Sequence, residues 1–348
     1  MGSRPPAFLW AFDSKNGLDA SDGRGSRLKG KMTTYLVTGG AGFVGSSLAE
    51  ELLKAGETVR ILDDFSSGRR QNLANLQELK GKLEIVEGTI VDPETVKKCM
   101  EGVEIVFHEA AIPSVARSVE NPQRSVHVGV QGTTVVLDMA RQAGVKRLIF
   151  AASSSAYGNT KELPKVETMN PAPLSPYAVS KLTCEHMLRV FASLYGIETL
   201  SLRYFNVFGP KQDPTSHYAA VIPNFITAGL KKTRPIVFGD GEQTRDFCYI
   251  ENTVSANLLA ASTKNKLSGE VVNVACGERI SLNTLLKCIG EETGTTFDPD
   301  YRPERAGDVR DSLADISAAR KLIGYEPKVD VKAGLKKTVA AFRMFTSV

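Results

Sequence analysis

The chain has little from which to build a disulfide framework, a metal centre or a membrane anchor. Its 348 residues include five cysteines and four histidines. The cysteines are scattered, odd in number and without the paired spacing of metal ligands, which points to reduced thiols in the cytosol. Cys99, Cys184 and Cys288 fall within helical patterns and are expected to pack. No apolar run is long enough to span a bilayer. An excess of one charge is also missing, since 43 Lys and Arg against 39 Asp and Glu leave +4. Residues 1–31 hold six of the basic and three of the acidic residues, so the remainder is almost neutral at 37 against 36. Without a basic stripe there is no case for a nucleic-acid partner. Internal repeats and low-complexity linkers are absent as well.

The first 31 residues stand apart. They are rich in Gly, Ser, Arg and Asp, and their apolar patch, Pro6 to Phe12, is short for a signal core. They are expected to form a disordered extension ahead of Met32, a natural start that directly precedes the first strand pattern.

What the chain does have begins there. Thr34-Tyr35-Leu36-Val37 reads as a short buried strand, and Phe43 to Ala55 has helical apolar spacing ended by Gly56. Between them lies Thr38-Gly39-Gly40-Ala41-Gly42-Phe43-Val44-Gly45. Glycines at this spacing give a tight turn, a close backbone approach to a pyrophosphate and close packing of helix on strand. Free N–H groups at the helix start complete an anion site. The next strand pattern, Thr58 to Leu62, ends in Asp63, an acceptor for a ribose 2′-hydroxyl that repels a 2′-phosphate. The cofactor implied is NAD.

Strand and helix patterns alternate from Thr33 to about Phe150. Strands are expected at Leu83–Val86, Ile105–Phe107 and Arg147–Phe150, with helices at Pro93–Glu101 and Val130–Ala143. This order predicts an α/β fold, a Rossmann-like doubly wound parallel sheet with its ligand at the carboxyl ends of the strands. The chain continues with strands near Thr199–Leu202, Pro235–Phe238 and Val271–Val274, mixed with helices and longer loops, into a smaller, mixed α/β C-terminal region that shapes a substrate cleft. The expected division is an NAD-binding part over 32–203 and a mainly substrate-binding part over 204–348, interleaved in one body.

The reacting groups follow the strand that ends near Phe150. Ala151-Ala152-Ser153-Ser154-Ser155 delivers hydroxyls to the carboxyl edge of the sheet. Ser175-Pro176 then starts a helix that carries Tyr177 and Lys181 on one face, four residues apart. A free phenol, with a pKa of roughly 10, is a poor base at neutral pH. A neighbouring ammonium and an oxidised nicotinamide ring both favour phenolate. A serine hydroxyl can hold the reacting oxygen. Hydride transfer at a secondary alcohol is the chemistry this set suits.

At this point the sequence resembles the extended short-chain dehydrogenase/reductases, in particular the UDP-N-acetylglucosamine (UDP-hexosamine) 4-epimerases, from Thr33 to nearly the C-terminus. Besides the glycine turn and the Tyr/Lys pair, the matching pieces are Asp63-Asp64-Phe65-Ser66-Ser67-Gly68, Arg203-Tyr204-Phe205-Asn206-Val207-Phe208-Gly209-Pro210 and Arg245-Asp246-Phe247-Cys248-Tyr249. Gln212-Asp213-Pro214 and Tyr218 to Pro223 are most similar to enzymes acting on UDP-N-acetylglucosamine and UDP-N-acetylgalactosamine.

The resemblance implies roles by position. Ser153 and Tyr177 are the catalytic hydroxyls, and Lys181 holds the nicotinamide ribose. Gly39, Gly42, Phe43, Val44, Gly45 and Asp63 hold NAD, with Asp64, Ser66 and Gly68 at the adenosine end and Ile90, Ala110, Ala111 and Tyr204 further along. Ser114, Ser154 and Ser155 flank the sugar, and Asn206 meets the phosphates. Ala220, Val221, Val237 and Phe238 flank uracil, Arg245 and Arg305 clamp the diphosphate, and Asp308 takes the uridine ribose. The implied activity is inversion at C4 of UDP-N-acetylglucosamine and UDP-N-acetylgalactosamine through a transient 4-keto sugar. Epimerisation of UDP-glucose/UDP-galactose or of UDP-glucuronate is the alternative, as is a nucleotide-sugar-binding protein without turnover. Ser154 and Ser155 replace the acids that related dehydratases and decarboxylases carry after the catalytic hydroxyl. Ser312 stands where a bulky tyrosine restricts other epimerases to sugars without an acetamido group.

Three positions depart from the family pattern: Thr89 in place of an aspartate at the adenine, with Asp92 as a substitute contact; Gly129 in place of an asparagine; and Glu109 after His108 in place of an apolar residue. His108 and His217 lack a metal or triad pattern and are read as structural. Helices over Val130–Ala143 and Leu182–Leu194 are expected to pair across a homodimer.

Overall fold

The computed structural model describes residues 33–213, 220–304 and 309–346. The N-terminal extension, His217, Arg305 and Asp308 lie outside the described residues.

The strands in chain order are β1 (Thr34–Thr38), β2 (Thr58–Asp63), β3 (Lys82–Glu87), β4 (Ile105–His108), β5 (Arg147–Ser153), β6 (Glu198–Tyr204), β7 (Val207–Phe208), β8 (Ile236–Phe238), β9 (Thr244–Arg245), β10 (Cys248–Tyr249), β11 (Glu270–Val274), β12 (Ile280–Ser281) and β13 (Asp300–Arg302). The helices are α1 (Phe43–Lys54), α2 (Pro93–Cys99), α3 (Val115–Glu120), α4 (Pro122–Val126), α5 (Gly132–Gln142), α6 (Pro176–Tyr195), α7 (Val221–Lys231), α8 (Ile250–Ser262), α9 (Leu282–Thr293), α10 (Ser317–Ile323) and α11 (Val331–Thr346).

Seven strands form one parallel sheet in the order β11-β6-β5-β4-β1-β2-β3. The order reverses between β1 and β4, which opens a crevice at their carboxyl ends. Strand β11 comes from the C-terminal part of the chain and pairs with β6, Val274 opposite Tyr204. The expected parallel sheet is therefore present, with an edge strand supplied from beyond residue 204.

Two cores cover the sheet. One packs Leu48, Leu52, Phe107, Leu202 and Val254 on the side of α1 and α8. The other packs Val96, Val136, Leu148, Phe150 and Leu188 on the side of α2, α5 and α6. Cys99 and Cys184 are buried there as expected, whereas Cys288 is only half-buried. The central strands β1, β4 and β5 are apolar on both faces because helices cover both, whereas the edge strand β3 carries Lys82, Glu84 and Glu87 and is largely exposed.

Two boundaries move for local reasons. Strand β5 continues past Phe150 to Ser153, pairing with β6 along its whole length. The helix expected from Val130 begins at Gly132, because His127–Gln131 forms a wider π-helical turn against α6. Gly129 lies in that turn, and a Cβ there would stand 3.1 Å from the Ser180 Cβ. The absent side chain thus lets the two helical segments approach. Among the described residues no helix is long and apolar enough to cross a membrane.

Candidate active site and dinucleotide cavity

A cavity of about 590 Å³ lies along the carboxyl edge of the sheet. One wall is the glycine turn. Gly39 adopts φ +68°, and a Cβ there would come within 2.7 Å of the Ala110 backbone. A Cβ on Gly45 would lie 2.3 Å from the Gly39 carbonyl oxygen. Only glycine lets the turn fold back on β4 and on its own helix. Gly42 precedes α1 without a side-chain cap, so the N-terminus of this helix presents N–H donors to the cavity. This is a fitting seat for a pyrophosphate.

At one end of the cavity Asp63 closes β2. Its carboxylate accepts from the Ala41 N–H at 2.9 Å and the Phe65 N–H at 2.8 Å. Burial nonetheless pushes it above the usual carboxylate range. A Cβ on Gly68 would sit 2.7 Å from Asp63 Oδ1, so Gly68 packs directly on the acid. Arg69 bonds to the Lys211 carbonyl and pairs with Asp213, while Arg70 pairs with Glu87. Both guanidiniums are engaged by protein carboxylates, which fits a 2′-hydroxyl at Asp63 and not a 2′-phosphate. Thr89 and Ile90 line the cavity. Asp92 does not: it caps α2, accepting from Glu94 N–H and Thr95 Oγ1. The substitute adenine contact expected of Asp92 is corrected accordingly, since its oxygens are committed to the helix start.

At the other end stand Ser153, Tyr177 and Lys181, all lining the same cavity. Ser175 caps α6, accepting from the Ala178 N–H at 3.2 Å, and Pro176 occupies the first helical position. Tyr177 is thereby fixed in the opening turn. The buried Lys181 donates from Nζ to the Ala151 carbonyl at 2.5 Å and lies 4.7 Å from the Phe150 ring centre. Ser153 Oγ accepts two hydrogen bonds, from the Ser155 N–H at 3.2 Å and the Ser155 hydroxyl at 2.8 Å. With its lone pairs used, its own proton is free to point at a ligand. Ser155 acts through Ser153, whereas Ser154 and Ser114 line the cavity. Ser114 takes a left-handed φ of +87°.

A second cavity of about 230 Å³ adjoins the first and shares Asn206 and Ala220 with it. Val221, Val237, Phe238 and Arg245 line it. Asn206 donates from Nδ2 to the Asp246 carbonyl at 3.1 Å and to Ser312 Oγ at 3.2 Å. Ser312 also accepts from the Asp246 N–H at 3.3 Å and lines neither cavity itself. Among the described residues no group of three metal-ligating side chains converges. His108 is structural, buried between Thr38 Oγ1 at 2.7 Å and Thr133 Oγ1 at 2.9 Å. Burial pushes its imidazole down to about 3.

Two groups escaped the sequence as site residues. Asp246 accepts backbone N–H bonds from Cys276, Gly277 and Ala314 and ties the segment beside Ser312 to the one after β11. Burial raises its carboxyl to about 6. Glu109 lines the dinucleotide cavity and takes a 2.7 Å bond from the Tyr204 hydroxyl. Its departure from an apolar pattern was the available signal.

Comparison with known proteins agrees with this geometry. The NAD dependent epimerase/dehydratase family matches residues 35–275. A UDP-glucose 4-epimerase of Mycolicibacterium smegmatis is 37% identical over 310 residues, 88% of this chain and 98% of that protein. The Thermotoga maritima UDP-glucose 4-epimerase solved with UDP-glucose superposes with a TM-score of 0.85 at 39% identity, covering 90% of this chain and 100% of that one. The UDP-N-acetylglucosamine 4-epimerase of Methanobrevibacter ruminantium, solved with UDP-N-acetylmuramic acid, gives 0.85 at 38% identity, covering 91% and 100%.

Proposed function

The chain belongs to the NAD dependent epimerase/dehydratase family as an NAD-dependent nucleotide-sugar 4-epimerase, and we propose that it interconverts UDP-N-acetylglucosamine and UDP-N-acetylgalactosamine. NAD is its cofactor, held along the glycine turn and Asp63. In this reading residues 32–203 bind NAD and carry the reacting groups, and residues 204–348 mainly bind the UDP-sugar.

The observation that carries the substrate reading is the junction at Asn206. The two cavities meet there, and the neighbouring side chain is the short Ser312, whose hydroxyl is already engaged by Asn206 and Asp246. Nothing bulky projects from position 312 towards the sugar, which supports room for a 2-acetamido group. The relatives named for UDP-glucose favour one second reading, turnover of the unmodified sugars by the same machinery.

The chemistry follows from the side chains. Tyr177, as phenolate, removes the proton from O4, and the Ser153 hydroxyl donates to that oxygen, because its lone pairs are held by Ser155. Lys181 holds a positive charge beside the phenol. NAD, when bound along the glycine turn, would supply the reversible hydride acceptor for C4. Arg245, lining the adjoining cavity, would retain the diphosphate while the keto sugar turns its other face, so that C4 is inverted when it is reduced again. Ser154 and Ser155 offer no carboxyl for the extra proton transfers of elimination.

Val190 and Leu194 on α6 are exposed as the homodimer reading asks, with Val119, Val126 and Val179 on α3, α4 and α6 beside them, whereas α5, the other helix expected at the interface, shows no exposed large apolar residue and packs on α6 within the chain. The odd, unpaired thiols support a cytosolic location. The test of the substrate reading is kcat/KM for UDP-N-acetylglucosamine against UDP-glucose. A preference of about tenfold or more for the acetamido sugar is expected; equal values or a reversed order would remove the specificity and leave the epimerase.

A further inference from the structure

A polar chain, Asn257–Tyr204–Glu109, runs from the buried Asn257 to the half-buried Tyr204 and Glu109 that line the reacting end of the cavity. Asn257, on α8, donates from Nδ2 to the Tyr204 hydroxyl at 2.8 Å, and that hydroxyl donates to Glu109 Oε1 at 2.7 Å. Asn257 also donates to the Thr253 carbonyl, which fixes its amide. The chain is polarised in one direction and ends on an acceptor, an arrangement suited to a carboxylate. Tyr204 is the register partner of Ser153 across β5 and β6. The pair therefore stands at the Ser153/Tyr177/Lys181 end, four strands away from Asp63 in the sheet order. Lys181 approaches from the α6 face, over Phe150, while Glu109 reaches Tyr204 on the α8 face.

We propose that Glu109 is a positioning residue for the nicotinamide half of bound NAD, whose carboxylate, held by Tyr204, offsets the charge of the oxidised ring and makes its readiness to accept hydride depend on pH. The inference rests on the reading of the cavity as an NAD site and is independent of which sugar is turned over.

The groups facing Glu109 set its titration. Burial pushes its carboxyl up to about 7, opposed by the Tyr204 hydroxyl and the Lys181 ammonium. Tyr204 stays a phenol, raised by burial and by Glu109 itself. The Cys248 thiol of β10 bonds to Thr253 Oγ1 at 3.5 Å and to the Tyr325 hydroxyl at 3.7 Å. His108, one residue earlier, is neutral and turned to Thr38 and Thr133. Near neutral pH the carboxyl thus changes charge within the cavity. A negative charge there favours the oxidised, cationic ring and opposes its reduction.

The test uses the holoenzyme without sugar. Bound NAD is reduced with sodium cyanoborohydride, and the near-ultraviolet absorbance of the reduced ring gives the rate. The ratio of Glu109→Gln to wild type at each pH cancels the reagent's own pH dependence. The ratio is expected to be about tenfold at about pH 8 and near one at about pH 6. A ratio that stays flat across that range overturns the proposal. Tyr204→Phe keeps the carboxyl and removes its donor, so its step should move to higher pH; an unmoved step would count against the pair. Wild-type protein with no reducible chromophore, even after NAD is added, would sink the NAD reading itself.

Discussion

The ammonium of Lys181 donates to the carbonyl oxygen of Ala151 at 2.5 Å, two residues before Ser153 on the same strand. One bond thus ties the α6 helix to the strand that delivers the reacting serine. Lys181→Met removes both this tie and the cation beside Tyr177. The expected result is a kcat lowered by about 10²–10³, with UDP binding by calorimetry nearly unchanged, since Val237, Phe238 and Arg245 line the other cavity.

Tyr177→Phe keeps the ring and removes the only group assigned to take the O4 proton. Turnover should fall by at least about 10³ while the affinity for UDP-sugar is retained. Undiminished turnover would refute the assignment and favour a binding role.

Gly68→Ala is predicted to release cofactor, although residue 68 bears no side chain to lose. The added Cβ would sit 2.7 Å from Asp63 Oδ1 and 2.8 Å from the Ala41 Cβ. It must displace the carboxylate from the Ala41 and Phe65 N–H groups that aim it. A loss of about tenfold or more in NAD affinity is expected, read from cofactor retained on gel filtration. Full retention would contradict the placement of the ribose at Asp63.

Glu185 and Arg203 form a bidentate, buried pair at 2.8 and 2.7 Å under β6, with Arg203 stacked 4.6 Å from the Tyr157 ring centre. Removing one partner strands the other's charge. Glu185→Ala should cost about 3–5 kcal/mol in denaturant unfolding, far more than any of the exposed pairs. A cost below about 1 kcal/mol would mean that water reaches the guanidinium.

Ser312→Tyr tests the substrate proposal from the other side. The ring must project beside Asn206, where the hydroxyl of Ser312 is now held. Turnover of UDP-N-acetylglucosamine should drop by about tenfold or more relative to UDP-glucose; equal losses on both sugars would point to damage at Asn206 alone.

Local features of this molecule were legible in the sequence. The strand–turn–helix around Gly39, the capped start of α6 and the spacing of Tyr177 and Lys181 depend on neighbours a few residues apart, and periodicity reports those. The parallel sheet was legible from the alternation of strand and helix patterns, whereas its order, with β11 from the C-terminal part pairing with β6, was not. What escaped the sequence depends on contacts made by the finished fold. Glu109 meets Tyr204 and Asn257 only when β4, β6 and α8 converge, at separations of 95 and 53 residues along the two bonds. Asp92 could be read as an adenine contact until α2 placed its first turn on it. Gly129 registered as a missing amide, and the proximity of Ser180 supplies the packing reason. Such tertiary contacts leave only a mark of composition, an acid or a glycine where the local pattern calls for something else.

The central claim is inversion at C4 by a hydride that leaves and returns without meeting solvent. The most direct measurement is proton NMR of UDP-N-acetylglucosamine incubated with the purified protein in deuterium oxide, with no NAD added. The account predicts the galacto product with its H4 resonance at full proton intensity. No galacto product with either UDP-N-acetylglucosamine or UDP-glucose, even after NAD is supplied, or a product carrying deuterium at C4, would contradict it.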